Sequence, residues 1–308
     1  MITSLQYVAL GVPDLKPGVD FYETFGLQSV ERPDHVAMRC YGREQDQVVL
    51  VETGEKRKLH HVSLGTTEDG LCQVEQKLET MRIQRLDPPY ANAPHGLWFR
   101  DPEGSLINLR AVDSSPYQKD VVVPAVNRPG LISRAGVKGC RPLEAPPRPR
   151  RMGHVIIFAK DVLAQTRFYC DVLGFRLSDQ IADGYAAFLR ASGDSDHHVL
   201  AMLKSDAPGF HHASFEMSGI DESEVAAMRV ISKGYRHAWG PGRHGVGSNY
   251  FHYFRDPWNG LAEYFSDMDY IPGQVPWEPK EWTKKDGMFL WSADGMPPPD
   301  FGRNYELD

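Results

Sequence analysis

The sequence predicts an α+β protein made of four strand–helix–strands units, paired into two open, barrel-like halves. Three observations carry this. Long segments recur: "YVALGVPDLKPGVDFYETFGL" (7–27) is matched by "HVIIFAKDVLAQTRFYCDVLGF" (154–175), and "LHHVSLGTTEDG" (59–70) by "FHHASFEMSGID" (210–221). Each copy runs from an apolar strand toward a helix. Short alternating stretches such as "QVVLVE" and "YAAFLRA" follow, with the period of half-buried strands.

In the first pair of copies, Asp14 and Asp161 stand seven residues into the segment, where a side-chain oxygen can cap a helix N-terminus. Phe21-Tyr22 and Phe168-Tyr169 lie on the helix, and Gly26 and Gly174 supply the left-handed residue that closes it. Each copy of the second pair leads into an amphipathic helix. A lone unit cannot bury its sheet, so units must pair. Two closing a curved sheet would enclose room for a ligand or an ion. The boundaries read as an early two-unit domain (1–111), a Pro-, Arg- and Gly-rich linker (112–151), a late two-unit domain (152–266) and a tail (267–308). The tail has no sustained period but carries Trp277, Trp282 and Trp291, aromatic surface that calls for burial, so it is expected to wrap the body.

Composition sets the outer bounds. The 308 residues are 41% hydrophobic and 24% charged, as in soluble globular proteins. A formal charge of −7 argues against a general nucleic-acid or anionic-membrane partner. The short basic run "RPRR" (148–151) reads as solvated linker. Cys40, Cys72, Cys140 and Cys170 lie far apart, suggesting neither a disulfide framework nor a zinc knuckle. No export signal or membrane-length apolar run is visible, so a reduced, cytoplasmic protein is expected.

The repeat also acts as an internal control. "FRDPWNGLAEYF" (254–265) has a twin in "FRDPEGSLINL" (99–109), yet seven residues after the aspartate one carries Glu263 and the other Asn108. With the halves superposed, Tyr7 matches His154, His61 matches His212 and Asn108 matches Glu263. Two imidazoles and a carboxylate, with other positions open, form the donor set that suits a non-haem ferrous ion. Tyr7 and Asn108 leave the early half too poor in donors, so one metal per chain is expected, in the late half. Eight of the twelve histidines fall there, and a glutamate inside "GLAEYF" would otherwise be an awkward buried charge. The pairs His197-His198 and His211-His212 pose a choice. Strand neighbours face opposite ways, so one of each should enter the barrel, and the residues alone leave open which.

The late half resembles the type I extradiol ring-cleaving dioxygenases of the vicinal oxygen chelate superfamily. The specific part is "GPGRHGVGSNYFHYFRDPWNGLAEYF", with His244, Tyr253 and Glu263 at intervals of nine and ten residues. "DHHVLAML", fourteen positions ahead of "HHASF", adds to it. The resemblance implies paired βαβββ modules, His154, His212 and Glu263 as metal ligands, and His198 as acid–base residue. It implies His244 and Tyr253 as hydrogen-bond donors to substrate, with His197 and His211 pointing out of the barrel. Trp98 stands opposite Tyr253 in the early half and offers no acidic hydroxyl. The implied reaction is meta cleavage of a catechol by O₂ at Fe(II), or at Mn(II), giving a hydroxymuconic semialdehyde-type product. A homo-oligomer is expected on the same basis.

Two departures bear on substrate. Ile156 stands where the homoprotocatechuate enzymes carry an asparagine, and the turn "DPWNG" places its glycine one position late. With Phe188 at an aromatic position bordering the substrate, an apolar-substituted catechol is expected. Arg243 is a candidate partner for an acidic substituent, and the tail around Trp282 and Phe289 a candidate lid. The rival readings are a glyoxalase-like isomerase or lyase and a metal-free binding protein of the bleomycin-resistance type. The first gives His198, His244 and Tyr253 no task, and the second gives His154, His212 and Glu263 no reason to co-occur.

Overall fold

A computed structural model describes residues 1–112, 125–139 and 146–307. Much of the linker, with Cys140, lies outside the described residues. The early half runs β1 (Ser4–Val12), α1 (Leu15–Phe25), β2 (Gln28–Glu31), β3 (Val36–Arg39), β4 (Asp46–Glu52), β5 (Lys58–Thr66), α2 (Glu68–Thr80), β6 (Leu97–Arg100) and β7 (Leu106–Ala111). The late half runs β8 (Met152–Ala159), α3 (Val162–Phe168), β9 (Arg176–Ile181), β10 (Ala186–Arg190), β11 (Ser195–Asp196) and β12 (Leu200–Lys204). It continues with β13 (Gly209–Glu216), α4 (Ile220–Ser232), β14 (His237–Arg243), β15 (Tyr250–Arg255) and β16 (Leu261–Ser266). The expected caps form: the side chains of Asp14 and Asp161 accept from the backbone N–H of Lys16 and Ala164, and Gly26 and Gly174 take φ of 110° and 81°.

Seven strands of the early half form one sheet in the order β2-β3-β4-β1-β5-β7-β6. The late sheet repeats that order as β9-β10-β12-β8-β13-β16-β15 and adds β14. Neither sheet closes into a barrel. The second early unit is short of a strand: where β14 pairs with β15 through Trp239 and Tyr253, the early half has only a single bridge between Leu86 and Trp98. Along β8, Val155 and Ile157 enter the main apolar core, which runs through the helices of both halves, while His154 and Ile156 face a cavity. Side chains of β9, β10, β12, β8, β13 and β15 all line that cavity, so the late sheet bends around it.

The tail wraps the late half by strand addition. β17 (Tyr270–Ile271) pairs with β11, β18 (Lys280–Trp282) with β9, and β19 (Trp291–Ser292) with β14. A short helix α5 (Lys284–Met288) lies between the last two. Trp277 and Trp282 are partly buried, but Trp291 stays 43% exposed, so its indole is not what holds the tail. Among the described residues no helix is long and apolar enough to cross a membrane.

The basic run is not solvated linker. Arg150 pairs with Glu222 at 2.6 Å, and Arg151 bridges Asp196 at 2.6 Å and Glu216 at 2.9 Å. The carboxylates that neutralise it are distant in sequence, which is why a local reading misplaces it.

The halves interlock through their twin turns. Asp101 Oδ1 accepts from the N–H of Glu103 and Ser105, and Oδ2 accepts from the Tyr169 hydroxyl at 3.1 Å. Asp256 does the same with Trp258 and Gly260, while its Oδ2 lies 3.3 Å from Arg57 Nε, an ion pair almost wholly buried. The displaced glycine of "DPWNG" is accommodated because Asn259 itself takes the left-handed conformation (φ 68°) that Gly104 (φ 94°) takes in the twin. Trp258 lies against α1, where a Cβ on Gly18 would come within 2.6 Å of the indole. Arg57→Met leaves the Asp256 carboxylate buried without its partner, and is expected to lower stability by about 3 kcal/mol in urea titration.

Candidate active site

One row of residues crosses four adjacent strands. His154 on β8 stands opposite Ser214 on β13, Ser214 opposite Glu263 on β16, and Glu263 opposite Tyr253 on β15. The early half repeats the row in the same register as Tyr7, Ser63, Asn108 and Trp98. His212 joins the first row from two residues along β13, as His61 does in the second.

Ligand atoms of His154, His212 and Glu263 lie within 4.8 Å of one another, and all three residues are buried. Glu263 Oε2 is 3.1 Å from His154 Nε2 and 3.2 Å from His212 Nε2. Burial acts to raise the Glu263 carboxyl, but the flanking His154 and His212 outweigh it and hold it well below the usual carboxylate range. Burial lowers the His212 imidazole, so an ionised carboxylate meets a neutral ring, the protonation state that metal binding needs. His212 Nε2 and His154 Nδ1 have no hydrogen-bond partner, an orphaning of buried polar atoms that a bound cation would relieve at His212. The donor set fits a divalent first-row metal.

The early row pairs within itself instead, although Asn108 Nδ2 is left without a partner. Tyr7 Oη meets His61 Nε2 at 3.0 Å, Ser63 donates to Asn108 Oδ1 at 2.9 Å, and the Trp98 indole donates to Pro94. No metal-ligand cluster forms there among the described residues.

A cavity lies beside Glu263, with about 660 Å³ of non-atom space when its open mouth is included. Its wall is apolar: Ile156, Ile181, Phe188, Leu203, Val246 and Met288 contribute, and no lysine or arginine does. His198 lies against His154, with ring centroids 4.4 Å apart, and Phe188 meets it edge-on at 5.1 Å. Burial, followed by the neighbouring His154 and His197, pushes the His198 imidazole well below its ordinary value. Tyr253 Oη and His244 Nε2 are 2.9 Å apart, and the other nitrogen of His244 lies 2.6 Å from the Met288 carbonyl. That carbonyl can only accept, so His244 carries its proton on Nδ1 and Nε2 accepts from the Tyr253 hydroxyl. With that tautomer, His244 Nε2 accepts toward Tyr253. Burial and the Glu263 charge raise the Tyr253 phenol well above its ordinary value and keep it a donor.

Two further expectations differ. Arg243 does not line the cavity; its guanidinium donates to Ser248 O and lies 2.9 Å from Asp267. His211 does line it, together with His212. Between Phe210 and His212 the pairing with β8 skips a residue, so His211 is the extra member of a β-bulge and strand alternation fails there. His60 occupies the same place on β5, where the pairing skips from Leu59 to His61. His197 keeps out of the cavity, buried beside Asp179. Gly287, Met288 and Phe301 of the tail complete the wall, a contribution that no periodicity announces.

The Glyoxalase/Bleomycin resistance protein/Dioxygenase superfamily profile matches residues 151–264. Metapyrocatechase 2 of Cupriavidus necator is 34% identical over 310 aligned positions, covering 99% of this chain and 93% of that protein. The chain belongs to the extradiol dioxygenases of this superfamily. The dioxygenase is also 25% identical to the manganese-dependent 2,3-dihydroxybiphenyl 1,2-dioxygenase of Geobacillus genomosp. 3, over 96% of each chain. Its fold is shared with the Mn(II)-bound glyoxalase of Novosphingobium aromaticivorans (TM-score 0.78, 23% identity, 98% of this chain and 94% of that one). His154, His212 and Glu263 all lie within the profile match.

Proposed function

We propose that the dioxygenase cleaves an apolar-substituted catechol beside its two hydroxyl-bearing carbons, at a mononuclear Fe(II) held by His154, His212 and Glu263. The product is of hydroxymuconic semialdehyde type. The observation that carries this is the meeting of a buried two-histidine, one-carboxylate cluster with a cation-free apolar cavity. When bound, the metal lowers the pKa of the substrate hydroxyls and brings O₂ beside the ring; two imidazoles and a carboxylate favour iron, while the manganese-dependent relative makes Mn(II) the alternative to test.

The chain's own residues supply the rest. His198, a neutral imidazole on the cavity wall, accepts a substrate proton and returns it later. Tyr253 turns its hydroxyl proton from His244 Nε2 to the substrate oxygen, while the Met288 carbonyl keeps His244 in place beside it. Ile156 and Phe188 border the ring, and the wall of Ile181, Leu203 and Met288 takes the substituent. The early half serves as scaffold, and the tail closes the cavity and keeps water from it.

Oxygen uptake by protein loaded anaerobically with Fe(II), or separately with Mn(II), tests the reading across a panel of catechols. An alkyl- or aryl-substituted catechol is expected to give the highest kcat/KM. A carboxylated catechol should be poorer by roughly 10²-fold, because its charge would enter the cavity unpaired. Best turnover with a carboxylated or an unsubstituted catechol would sink the apolar assignment.

A further inference from the structure

Buried histidines that the proposed reaction does not use stand next to two that it does. His211 Nδ1 lies 2.6 Å from His212 Nδ1, and His211 Nε2 lies 2.8 Å from the Phe301 carbonyl. The carbonyl can only accept, so His211 carries its proton on Nε2 and presents a lone pair at Nδ1. His212 must then place its proton on Nδ1, which leaves Nε2 bare toward Glu263. The orphaned state of His212 Nε2 agrees with this. A second chain has the same order with a looser end. His197 Nδ1 is 3.1 Å from His198 Nδ1, and His197 Nε2 lies 3.4 Å from Asp179 Oδ2, within ion-pair reach but outside hydrogen-bond geometry.

Asp179 is itself set by the tail. The Trp282 indole donates to Oδ2 at 2.7 Å, and the Lys280 N–H donates to Oδ1 at 2.8 Å. Burial would raise its carboxyl, but the adjacent His197 and the bonds from Lys280 and Trp282 hold it below the ordinary value. The nearby carboxylate charge favours the His197 proton on Nε2, so that Nδ1 accepts from His198 and His198 keeps a bare Nε2. Gly247 (φ 76°) lets the backbone lie on the pair, since a Cβ there would stand 3.3 Å from His198 and 3.4 Å from His197.

We propose that His197 and His211 are positioning residues, through which the C-terminal tail fixes the tautomers of His198 and His212 so that each presents a bare Nε2. Three tail segments act in the same way, at Lys280–Trp282, at Met288 on His244 and at Phe301. The tail is therefore part of the site's proton inventory as well as a wall. The roles of His198 and His212 rest on the function proposed above, while the tautomers themselves do not.

Two measurements on the full-length protein test this. Imidazole ¹H–¹⁵N correlation spectra of zinc-loaded protein are expected to show His198 protonated on Nδ1, and His197 and His211 on Nε2. Metal titration of stripped protein, with Fe(II) and with Zn(II), should find His211→Phe about 10–100-fold weaker, the usual cost of losing such support. His211→Asn keeps an acceptor where Nδ1 was and should bind within about threefold of wild type. His197→Phe should bind metal normally and lose roughly 10²-fold in kcat with KM little changed, and His197→Asn should recover most of it. An Nε2-protonated His198 in the wild-type spectrum, or Phe and Asn variants that behave alike, would overturn the proposal. The spectrum needs no variant to fold, and neither spectrum nor titration depends on finding a catechol that turns over.

Discussion

Glu263→Ala is expected to abolish metal retention and oxygen uptake together. Its carboxylate is the one anionic donor among three atoms within 4.8 Å of one another, and two imidazoles alone make a weak site. The early half offers no substitute, since the Tyr7 hydroxyl occupies His61 and Ser63 occupies Asn108. Elemental analysis of Fe(II)-loaded protein should find one ion per wild-type chain and none in the variant. Thermal unfolding gives a second reading. A cation that binds only the native state raises the midpoint with concentration, so added metal should stabilise wild type and leave Glu263→Ala unmoved. Full iron retention in the variant, or a second ion held through His61, would refute the assignment.

His198→Asn is expected to keep the metal, bind catechol and lose roughly 10²–10⁴-fold in kcat, the usual worth of a positioned acid–base group. Asparagine can still meet His197, but it offers no nitrogen that takes up and gives back a proton near neutral pH. Single-turnover kinetics under O₂, with substrate binding followed by the ultraviolet spectrum, separates the two effects. A variant that binds substrate poorly but turns over normally would make His198 a binding residue only.

Much of this architecture is readable along the chain because it is local or repeated. Asp14, Asp161, Gly26 and Gly174 act within one helical turn of their own positions, so their types reveal their roles. The cluster of His154, His212 and Glu263 is readable because the halves share one strand register, which turns Tyr7 and Asn108 into controls for His154 and Glu263. What escapes a linear reading depends on partners far away. Whether His211 faces inward is set by a skipped pairing between β13 and β8, and a bulge belongs to two strands, not to one. The tail pairs in two- and three-residue strands, too short for any period to emerge. Arg243 looks like a substrate partner beside His244, yet Asp267, from the far end of a hairpin, takes it.

The twin turns explain a peculiarity of the duplication. Phe-Arg-Asp-Pro stands in both copies although Glu263 follows it in only one. In each copy the aspartate spends one oxygen on its own turn and sends the other across to the opposite half, Asp101 to Tyr169 and Asp256 toward Arg57. Each hairpin thus serves two unrelated ends, a joint at its tip and a pocket along its shaft. After a gene doubles, the shaft of one copy can drift as soon as its sister carries the chemistry, but neither tip can be released without unfastening the pair. The joints therefore bind both copies alike, whatever each shaft carries between them.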